Sequence, residues 1–385
     1  MVVPGVCGEG ESDPAGSAVW TYYHTIPRVY SPPGIIRAMK LKQLGEFELI
    51  EKMARVFRRE PVVTGADHMR RLVLGIGDDA AVWRMEPGHA IATVDAMVEG
   101  VHFTRETTGW YDLGWKAMVS NLSDVASMGG RPTYALAVLA ATGEEELDEV
   151  LEVCRGMADA AERYGAIVVG GDTVSSSVLT LSITMMGETA SDPGSPGAAL
   201  VLSRYAARPG DQVAVTGVLG SSAGGLDLLL RGGAASPEAQ PLIEAHRRPL
   251  PRIREGQLLL DAGVRCAMDL SDGLAGDLAR ICRASEVGAR VDLHRLPVHT
   301  ALVAAFGERA TDLAASGGED YELLCTGPAD TLARARLLLE GAGTPLTTVG
   351  EIVQQVPGEP AILARDPTGR TGPLGRSGWE HFTSR

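Results

Sequence analysis

The sequence predicts an α/β fold in two domains. The chain has 385 residues, enough for two domains at roughly 100–200 residues each. Short apolar runs of strand length alternate with longer segments in which apolar residues recur every three or four positions, as on one face of a helix. Several of the apolar runs end at aspartates, and open α/β sheets hold their ligands at strand ends.

The first half of the chain alternates regularly between the two patterns. We predict strands at 90–94, 134–141, 166–169 and 179–185, and helices at 112–128 and 145–164. Residues 179–185 alternate between apolar and hydroxyl-bearing side chains, which is typical of a strand with one buried face. The segments therefore predict one sheet with helices packed on it.

A stretch rich in Gly, Pro and Ser at 191–197 predicts the domain boundary. It separates a domain of residues 39–192 from a domain of residues 198–385. In the second domain we predict strands at 199–202, 212–216 and 267–270, and helices at 222–230 and 273–284. Residues 1–38 show no clear period and no signal-peptide pattern, so we expect a disordered extension before the folded domains.

Composition excludes several classes of function. The chain has 35 Lys plus Arg and 49 Asp plus Glu, a net charge of −14, whereas a nucleic-acid binder needs a basic face. No apolar run approaches the ~18–20 residues of a membrane span. Five scattered cysteines without a Cys-x-x-Cys pair predict neither a disulfide framework nor a zinc site, so the cytoplasm is the expected location.

Carboxylates stand where apolar runs end. Asp79, Asp95, Asp172 and Asp269 each follow or close such a run, and Asp272 comes three residues after the last. Burying several carboxylates together is costly unless cations neutralise them, and single Asp oxygens completed by water suit Mg²⁺. On spacing alone, a shared Mg²⁺ site and a set of unrelated turns and helix caps remain equally good interpretations.

Other polar features have two interpretations each. Lys116, Ser120 and Asp124 lie along one stripe of the helix at 112–128, facing either a ligand or solvent. The Gly-Gly pairs at 170–171 and 317–318, each beside an acid, either admit a phosphate chain or simply form turns. The basic cluster at 246–248 is interpreted as a solvated helix end. The sequence has no P-loop, no dinucleotide-binding glycine motif and no nucleophile elbow.

Six motifs together resemble those of the thiamine-monophosphate kinases, a family of the aminoimidazole-ribonucleotide-synthetase-like superfamily. They lie at 75–80, 93–103, 115–126, 169–173, 268–274 and 317–323. The resemblance extends from Met39 to Phe382. Val-Glu-Gly-Val-His-Phe at 98–103, Gly-Gly-Glu-Asp-Tyr-Glu at 317–322 and Gly-Trp-Glu-His-Phe at 378–382 are the segments similar to the kinase branch.

The resemblance implies a fold, a reaction and a set of site residues. It implies a two-domain synthetase-like architecture, with an N-terminal mixed sheet that joins its partner across a homodimer and a C-terminal α/β domain. It implies ATP-dependent phosphorylation of thiamine monophosphate to thiamine diphosphate with several Mg²⁺ ions. By motif position, the metal ligands would be Asp79, Thr93, Asp95, Asp124, Asp172, Asp269 and Asp272. ATP would contact Gly171, Asp172, Arg204 and Ser271, and the thiamine phosphate would contact His102, Glu319 and Trp379.

The expected chemistry needs no covalent nucleophile on the protein. Phosphoryl transfer depends mainly on positioning and charge neutralisation, and a substrate phosphate already carries an anionic oxygen. We therefore expect direct in-line transfer from ATP, in keeping with the lack of a Ser or His nucleophile motif in the sequence.

Three positions depart from the family pattern. Val94 stands where Thr or Ser is usual, Ser221 where an acid is common, and Cys154 where an aromatic residue near the nucleotide is common. Two alternatives stay open: another ATP-using enzyme of the superfamily, such as a selenophosphate-forming or ring-closing synthetase, and a degenerate, non-catalytic binding protein. Cys7 lies in the extension rather than in a Gly-rich loop, which argues against selenophosphate chemistry.

Overall fold

A computed structural model of the protein describes residues 39–44, 46–57, 71–74, 76, 81–83, 88–195, 197–232, 237–366 and 369–374. These residues belong to one compact unit. Three predictions lie outside the described residues: those for Asp79, for Trp379 and for the extension at 1–38.

The first half forms a four-stranded mixed sheet with helices on one face. The helices are α1 (Glu46–Phe57), α2 (Trp110–Ser127) and α3 (Leu147–Arg163), and a 3₁₀ helix covers Leu41–Gln43. The strands are β1 (Leu72–Leu74), β2 (Val82–Trp83), β3 (His89–Val98), β4 (Arg131–Ala141), β5 (Ile167–Ser175) and β6 (Thr180–Thr189). The sheet order is β3-β6-β4-β5, with only β4 and β5 parallel, and β1 pairs with β2 separately.

The second half forms a seven-stranded mixed sheet. Its strands are β7 (Gln212–Thr216), β8 (Cys266–Asp269), β9 (Val287–Asp292), β10 (Leu323–Gly327), β11 (Leu346–Gln354), β12 (Ile362–Arg365) and β13 (Thr371–Pro373). Its helices are α4 (Ser221–Leu230), α5 (Gln240–Arg247), α6 (Ile253–Asp261), α7 (Leu274–Ser285), α8 (Thr300–Phe306), α9 (Arg309–Ser316) and α10 (Ala329–Gly341), with 3₁₀ turns at Pro237–Ala239 and Leu293–Arg295. The order is β13-β12-β9-β11-β7-β10-β8.

Helix α2 lies at the centre of the unit and is buried almost along its whole length. Its close approach to α3 depends on two glycines: a Cβ at Gly114 would lie 1.9 Å from the Val153 carbonyl oxygen, and one at Gly156 would lie 2.0 Å from the Tyr111 carbonyl oxygen. Backbones this close leave no room for side chains between them. The polar residues of α2 are therefore carried into the interior, where each needs a partner.

The basic cluster at 246–248 connects the two halves. Arg247 Nε donates to the Thr107 carbonyl at 2.9 Å, Arg248 forms an ion pair with Asp112, and His246 is only 2% exposed. The interpretation as a solvated helix end is therefore wrong for the buried His246, whereas the Arg248 side chain is still 49% exposed. The cluster does lie at the end of α5, and its two arginines contact the first half of the chain.

The mixed α/β class with two sheets is confirmed, and most predicted elements lie within a few residues of the observed ones. The strand predicted at 199–202 is wrong: only Ala199 makes an isolated bridge, and Leu202 N–H donates to the Met128 carbonyl at 3.1 Å. Strands β3 and β5 run several residues past their predicted ends. Of the helices that the structure describes, none is both long and apolar enough to cross a membrane.

Candidate active site

Strand β3 and helix α2 bring three of the predicted metal ligands together. Thr93 Oγ1 donates to Asp124 Oδ2 at 2.5 Å, and the Asp95 N–H donates to Asn121 Oδ1 at 3.0 Å. Alternate residues of a strand share a face, so Thr93 and Asp95 face α2. Val94 points to the other face and is 60% exposed. The valine that departs from the family pattern thus presents no side chain to this cluster.

The end of β8 adds a carboxylate from the second half of the chain. Asp269 is buried, and Ser123 Oγ of α2 donates to its Oδ2 at 2.8 Å. Burial, followed by repulsion from Asp124 and Asp277, raises the pKa of Asp269 well above its usual range. Burial also raises the pKa of Asp124, although the hydrogen bond from Thr93 opposes that shift. The two halves of the chain therefore contribute to one acidic cluster.

Asp95 and Asp272 belong to the same electrostatic environment. Partial burial, then repulsion from Asp124 and from Asp272, raises the pKa of Asp95 to about 6. Asp272 contacts Arg280, and its N–H donates to Asp277 Oδ2 at 3.0 Å. Sequence reasoning missed Asp277 and Arg280. The available signal was an acid in the first turn of α7 with a base three residues later, a spacing at which side chains on one helix face meet.

The predicted ATP contacts Arg204 and Ser271 border this acidic cluster. Arg204 lies close enough to favour the charged forms of Asp124 and Asp269, and so opposes the rise in their pKa values. The Ser271 carbonyl accepts the Glu319 N–H at 2.8 Å. Ser271 therefore joins the acidic cluster to the Gly-Gly-Glu-Asp-Tyr-Glu segment.

Gly171 and Asp172 lie away from the other predicted ligands within one chain. They belong to β5, the edge strand opposite β3, with β4 and β6 between them. Three strand spacings of ~4.8 Å separate the two edges by about 14 Å. The interpretation of this Gly-Gly-Asp as a turn is wrong, since the residues lie inside β5. A Cβ at Gly171 would lie 1.8 Å from the Ala137 carbonyl oxygen, so the glycine is needed for strand packing.

The acidic cluster has the donor set that Mg²⁺ prefers. Within the described ranges, no three His, Cys, Asp or Glu side chains form a ready-made metal site. The oxygen donors that do converge, from Thr93, Asp95, Asp124 and Asp269, are of the hard type bound by Mg²⁺. The burial of Asp269 and the repulsion among the carboxylates, which contributes to the raised pKa of Asp95, are what a divalent cation relieves. The residues present therefore fit a Mg²⁺ site.

The segment at 317–322 carries the predicted substrate contact Glu319. Glu319 and Tyr321 have φ angles of +64° and +52°, a left-handed conformation that is unfavourable for residues with a Cβ. Glu319 Oε2 accepts from Lys116 Nζ of α2 at 2.7 Å. At the end of β3, His102 Nδ1 accepts the Val98 N–H at 3.0 Å, which fixes the orientation of its ring.

The charges of Glu319 and of the acids all act on the buried hydroxyl of Tyr321. Its side chain is buried, and burial raises the pKa of its hydroxyl well above the usual range. The negative charges of Glu319, Asp95, Asp269 and Asp124 add to that rise. Helix α2 carries both Asp124 and Lys116, and Lys116 Nζ donates to Glu319 Oε2 at 2.7 Å. The predicted metal side and the predicted substrate side are therefore joined by one helix.

The two other departures from the family pattern lie at buried positions. Cys154 is part of the core on α3, where burial raises the pKa of its thiol to about 12. Ser221 begins α4, and its hydroxyl is buried without a hydrogen-bond partner among the described residues. Neither side chain replaces one of the acids of the cluster.

Comparisons with known proteins agree with this architecture. Residues 77–189 match the family described as "AIR synthase related protein, N-terminal domain", and residues 208–359 match "AIR synthase related protein, C-terminal domain". The chain is thus an AIR synthase-related protein with both domains of that class.

Relatives within this class include the thiamine-monophosphate kinase of Bacillus subtilis strain 168, which is 35% identical over 82% of this chain and 95% of its own. The thiamine-monophosphate kinase of Escherichia coli K12 is 35% identical over 88% of this chain and 99% of its own. The crystal structure of the Stenotrophomonas maltophilia K279a enzyme of the same name is 34% identical, with a TM-score of 0.71 over 83% of this chain and 96% of that one. The chain belongs to the thiamine-monophosphate kinase family.

A further solved structure similar to this chain is described as AaThiL complexed with AMPPCP and TMP. It is 30% identical, with a TM-score of 0.67 over 89% of this chain and 99% of that one. The hydrogenase maturation protein HypE in complex with ATP is 21% identical with a TM-score of 0.67 over 86% of this chain and 93% of that one, a likeness of fold alone.

Proposed function

We propose that this protein transfers the γ-phosphoryl group of ATP to thiamine monophosphate and so forms thiamine diphosphate. The observation that carries the proposal is the pair of links between the acidic cluster and Glu319. The Ser271 carbonyl, two residues after Asp269, accepts the Glu319 N–H at 2.8 Å, and α2 carries both Asp124 and Lys116, which donates to Glu319 Oε2 at 2.7 Å. A kinase whose two substrates are both phosphorylated needs charge neutralisation at one end of its site and substrate recognition at the other. Membership of the thiamine-monophosphate kinase family supports the same reaction.

The roles of individual residues follow from this arrangement. Asp95, Asp124 and Asp269, with Thr93, would hold Mg²⁺, with Asp79 and Asp272 as further ligands. Bound Mg²⁺ would offset the negative charge of the two phosphate groups. Arg204 and Ser271 would contact ATP beside the cluster, and Glu319, with His102 and Trp379, would contact the thiamine part.

The transfer is direct in this proposal. The carboxylates of the cluster are committed to hydrogen bonds from Thr93 and Ser123, and a carboxylate that also holds a cation is a poor nucleophile. The attacking oxygen is already anionic on the substrate. The protein then needs to align the two phosphates and exclude water, not to form a phosphoenzyme.

We also propose a homodimer in which the four-stranded sheets join edge to edge. Both outer strands, β3 and β5, are unpaired on one side within the described part of the chain. On the sheet face opposite α2, Val94 of β3 is 60% exposed and Val174 of β5 is 43% exposed. Joining β5 to β3 of a second chain, twice over, would close an eight-stranded barrel with these valines inside. It would also place the strand that carries Gly171 and Asp172 in one chain beside the strand that carries Asp95 in the other.

Mixed dimers test the proposed dimer separately from the reaction. Co-expressed Asp124→Asn and Asp172→Asn chains should form some mixed dimers with one fully wild-type site, and these should be active although each homodimer is not. Mixtures that stay inactive although mixed dimers form would contradict the shared site. A monomeric wild-type protein by light scattering would contradict the dimer itself.

The cytoplasm is the proposed location. Cys154, Cys266, Cys282 and Cys325 are all free and buried in the structure. Unpaired cysteines in the core are typical of proteins that fold in a reducing compartment. Localisation of the tagged full-length chain by fractionation tests this point.

A direct assay tests the reaction. The purified full-length protein is incubated with ATP and Mg²⁺, with and without thiamine monophosphate, and thiamine diphosphate and ADP are separated by chromatography. We expect one thiamine diphosphate for each ADP, and almost no ADP without the second substrate. Asp124→Asn serves as the inactive control. ATP turnover without thiamine diphosphate would indicate another enzyme of the class, and no turnover would indicate a binding protein.

A further inference from the structure

Lys116 is a buried cation that the proposed reaction does not yet use. It lies on α2, is 1% exposed, and its Nζ donates to Glu319 Oε2 at 2.7 Å. Lys116 precedes Asp124 by eight residues, so the two side chains start about 12 Å apart along the helix axis. Helix α2 therefore carries Asp124 on the side of the site that would hold the metal and Lys116 on the side that holds Glu319.

The segment that carries Glu319 is anchored on both sides. Asp320 accepts the Gly220 N–H at 2.6 Å and the Ser222 N–H at 3.1 Å. Glu322 accepts from Arg252 and from Thr216 Oγ1 at 2.6 Å. These anchors hold Glu319 in its left-handed conformation, which persists only where the surroundings compensate for it. The segment thus aims Glu319 at Lys116.

His246 closes the other side of the Glu319 carboxylate. Its Nδ1 lies 3.6 Å from Glu319 Oε2 and 3.1 Å from Ser222 Oγ. Burial, then the charges of Lys116 and Arg247, lowers the pKa of His246 to about 2, so the ring is neutral. Lys116 is therefore the charged partner that holds Oε2, and His246 limits how far the carboxylate can turn.

We propose that Lys116 is a positioning residue for the thiamine part of the substrate. By holding Oε2, it fixes the Glu319 carboxylate in one orientation and leaves Oε1 to accept a hydrogen bond from the substrate. This inference rests on the proposed function. Because Lys116 lies about two helical turns away from Asp124, its loss should weaken binding of thiamine monophosphate rather than slow the transfer step.

Steady-state kinetics of Lys116→Met test the inference in the full-length protein. We expect the KM for thiamine monophosphate to rise about 10- to 100-fold, the range for losing one buried charge-assisted hydrogen bond. The kcat and the KM for ATP should stay within about 3-fold of wild type. Lys42→Met is the matched control, since Lys42 is exposed and pairs with Glu144 at 2.6 Å on the surface, and it should change none of the three constants.

A double variant separates positioning from direct contact. If Lys116 acts through Glu319, the variant K116M/E319Q should have the same KM for thiamine monophosphate as E319Q alone. It also removes both charges of the buried pair, so it can be studied even if Lys116→Met alone fails to fold.

Two outcomes would overturn the inference while leaving the proposed function intact. One is a wild-type KM for thiamine monophosphate in Lys116→Met. The other is a further rise in KM when K116M is added to E319Q, which would mean that Lys116 binds the substrate independently. A wild-type protein that forms no thiamine diphosphate would instead refute the proposed function, and the inference with it.

Discussion

Replacing Gly318 by alanine should force apart the two loops that meet at the site. A Cβ at Gly318 would lie 2.6 Å from the Ser271 carbonyl oxygen, where a carbon and an oxygen need about 3.3 Å. A shift of roughly 0.7 Å would stretch the 2.8 Å bond from the Glu319 N–H to the same oxygen to the limit of a hydrogen bond. Losing that bond costs about 1 kcal/mol, and the overpacking costs about 1–3 kcal/mol more.

The expected result of Gly318→Ala is a combined loss of stability and of substrate binding. The thermal midpoint, followed by differential scanning fluorimetry, should fall by about 3–5 °C, because the unfolding entropy of a unit this large is about 0.7 kcal/mol per kelvin. The KM values for ATP and for thiamine monophosphate should both rise, because Ser271 and Glu319 move together. Gly341→Ala is the control: it ends α10 with no atom within 4 Å of the new Cβ, so it should be neutral or slightly stabilising. A wild-type midpoint with wild-type KM values in Gly318→Ala would refute the reasoning.

Four further predictions concern the acids, the extension and the transfer step. Asp95→Asn, Asp124→Asn and Asp269→Asn should each lower thiamine diphosphate formation about 100-fold or more with the fold intact by circular dichroism, and near-wild-type activity in two of the three would contradict the shared site. Burial raises the pKa of Asp320 to about 7; since this lies above the unfolded value, its contribution to stability is lost between about pH 4 and 7. The thermal midpoint of wild type relative to Asp320→Asn should therefore fall from pH 5 to pH 8, and a rise would contradict the assignment. Deleting residues 1–38 should leave activity and thermal midpoint almost unchanged, because their sequence lacks the periodicity needed to pack on a core; a large loss in either would show a structural role. Chirally labelled γ-thiophosphate ATP should give net inversion at phosphorus, whereas net retention would indicate a phosphoenzyme.

The local pattern of the sequence was enough to predict the elements that are decided locally. Helix α2 and strand β7 appear where periodicity places them, and Asp269 closes a strand as predicted. These segments combine a clear period with a definite polar stop. Within each of these elements, the side chains of one face stay in the same environment from end to end. The sequence pattern and the observed structure therefore agree.

Asp95 and Asp172 could not be placed from the sequence because strand length is decided by pairing. An acid after an apolar run was taken to end the strand, yet β3 and β5 continue through both residues. Each lies on an edge strand whose inner neighbour continues past the apolar part and pairs with it there. Their positions on opposite edges follow from the order of the sheet, and no spacing in the sequence encodes that order.

Lys116 and His246 illustrate a second limit of prediction from the sequence, which concerns the burial of polar side chains. Both were noted as polar residues of predicted helices, with solvent as one possible environment, and both are almost fully buried. Their partner Glu319 lies 203 residues from Lys116. A single sequence does not show contacts over such a separation, so burial of a charge becomes visible only with the tertiary structure.

The packing of α2 explains why the core and the site are the same structure. Gly114 lets the helix approach α3, and Gly256 of α6 lets it approach from the other side, with a Cβ there only 2.1 Å from the Ala126 carbonyl oxygen. A helix enclosed in this way buries its polar stripe as well as its apolar one. Buried charges must be paired or hold a cation, so Lys116 binds Glu319 and Asp124 joins the acidic cluster. A larger residue at Gly114 or Gly256 would therefore disturb the site without contacting a substrate. It would displace α2, which carries both Asp124 and Lys116.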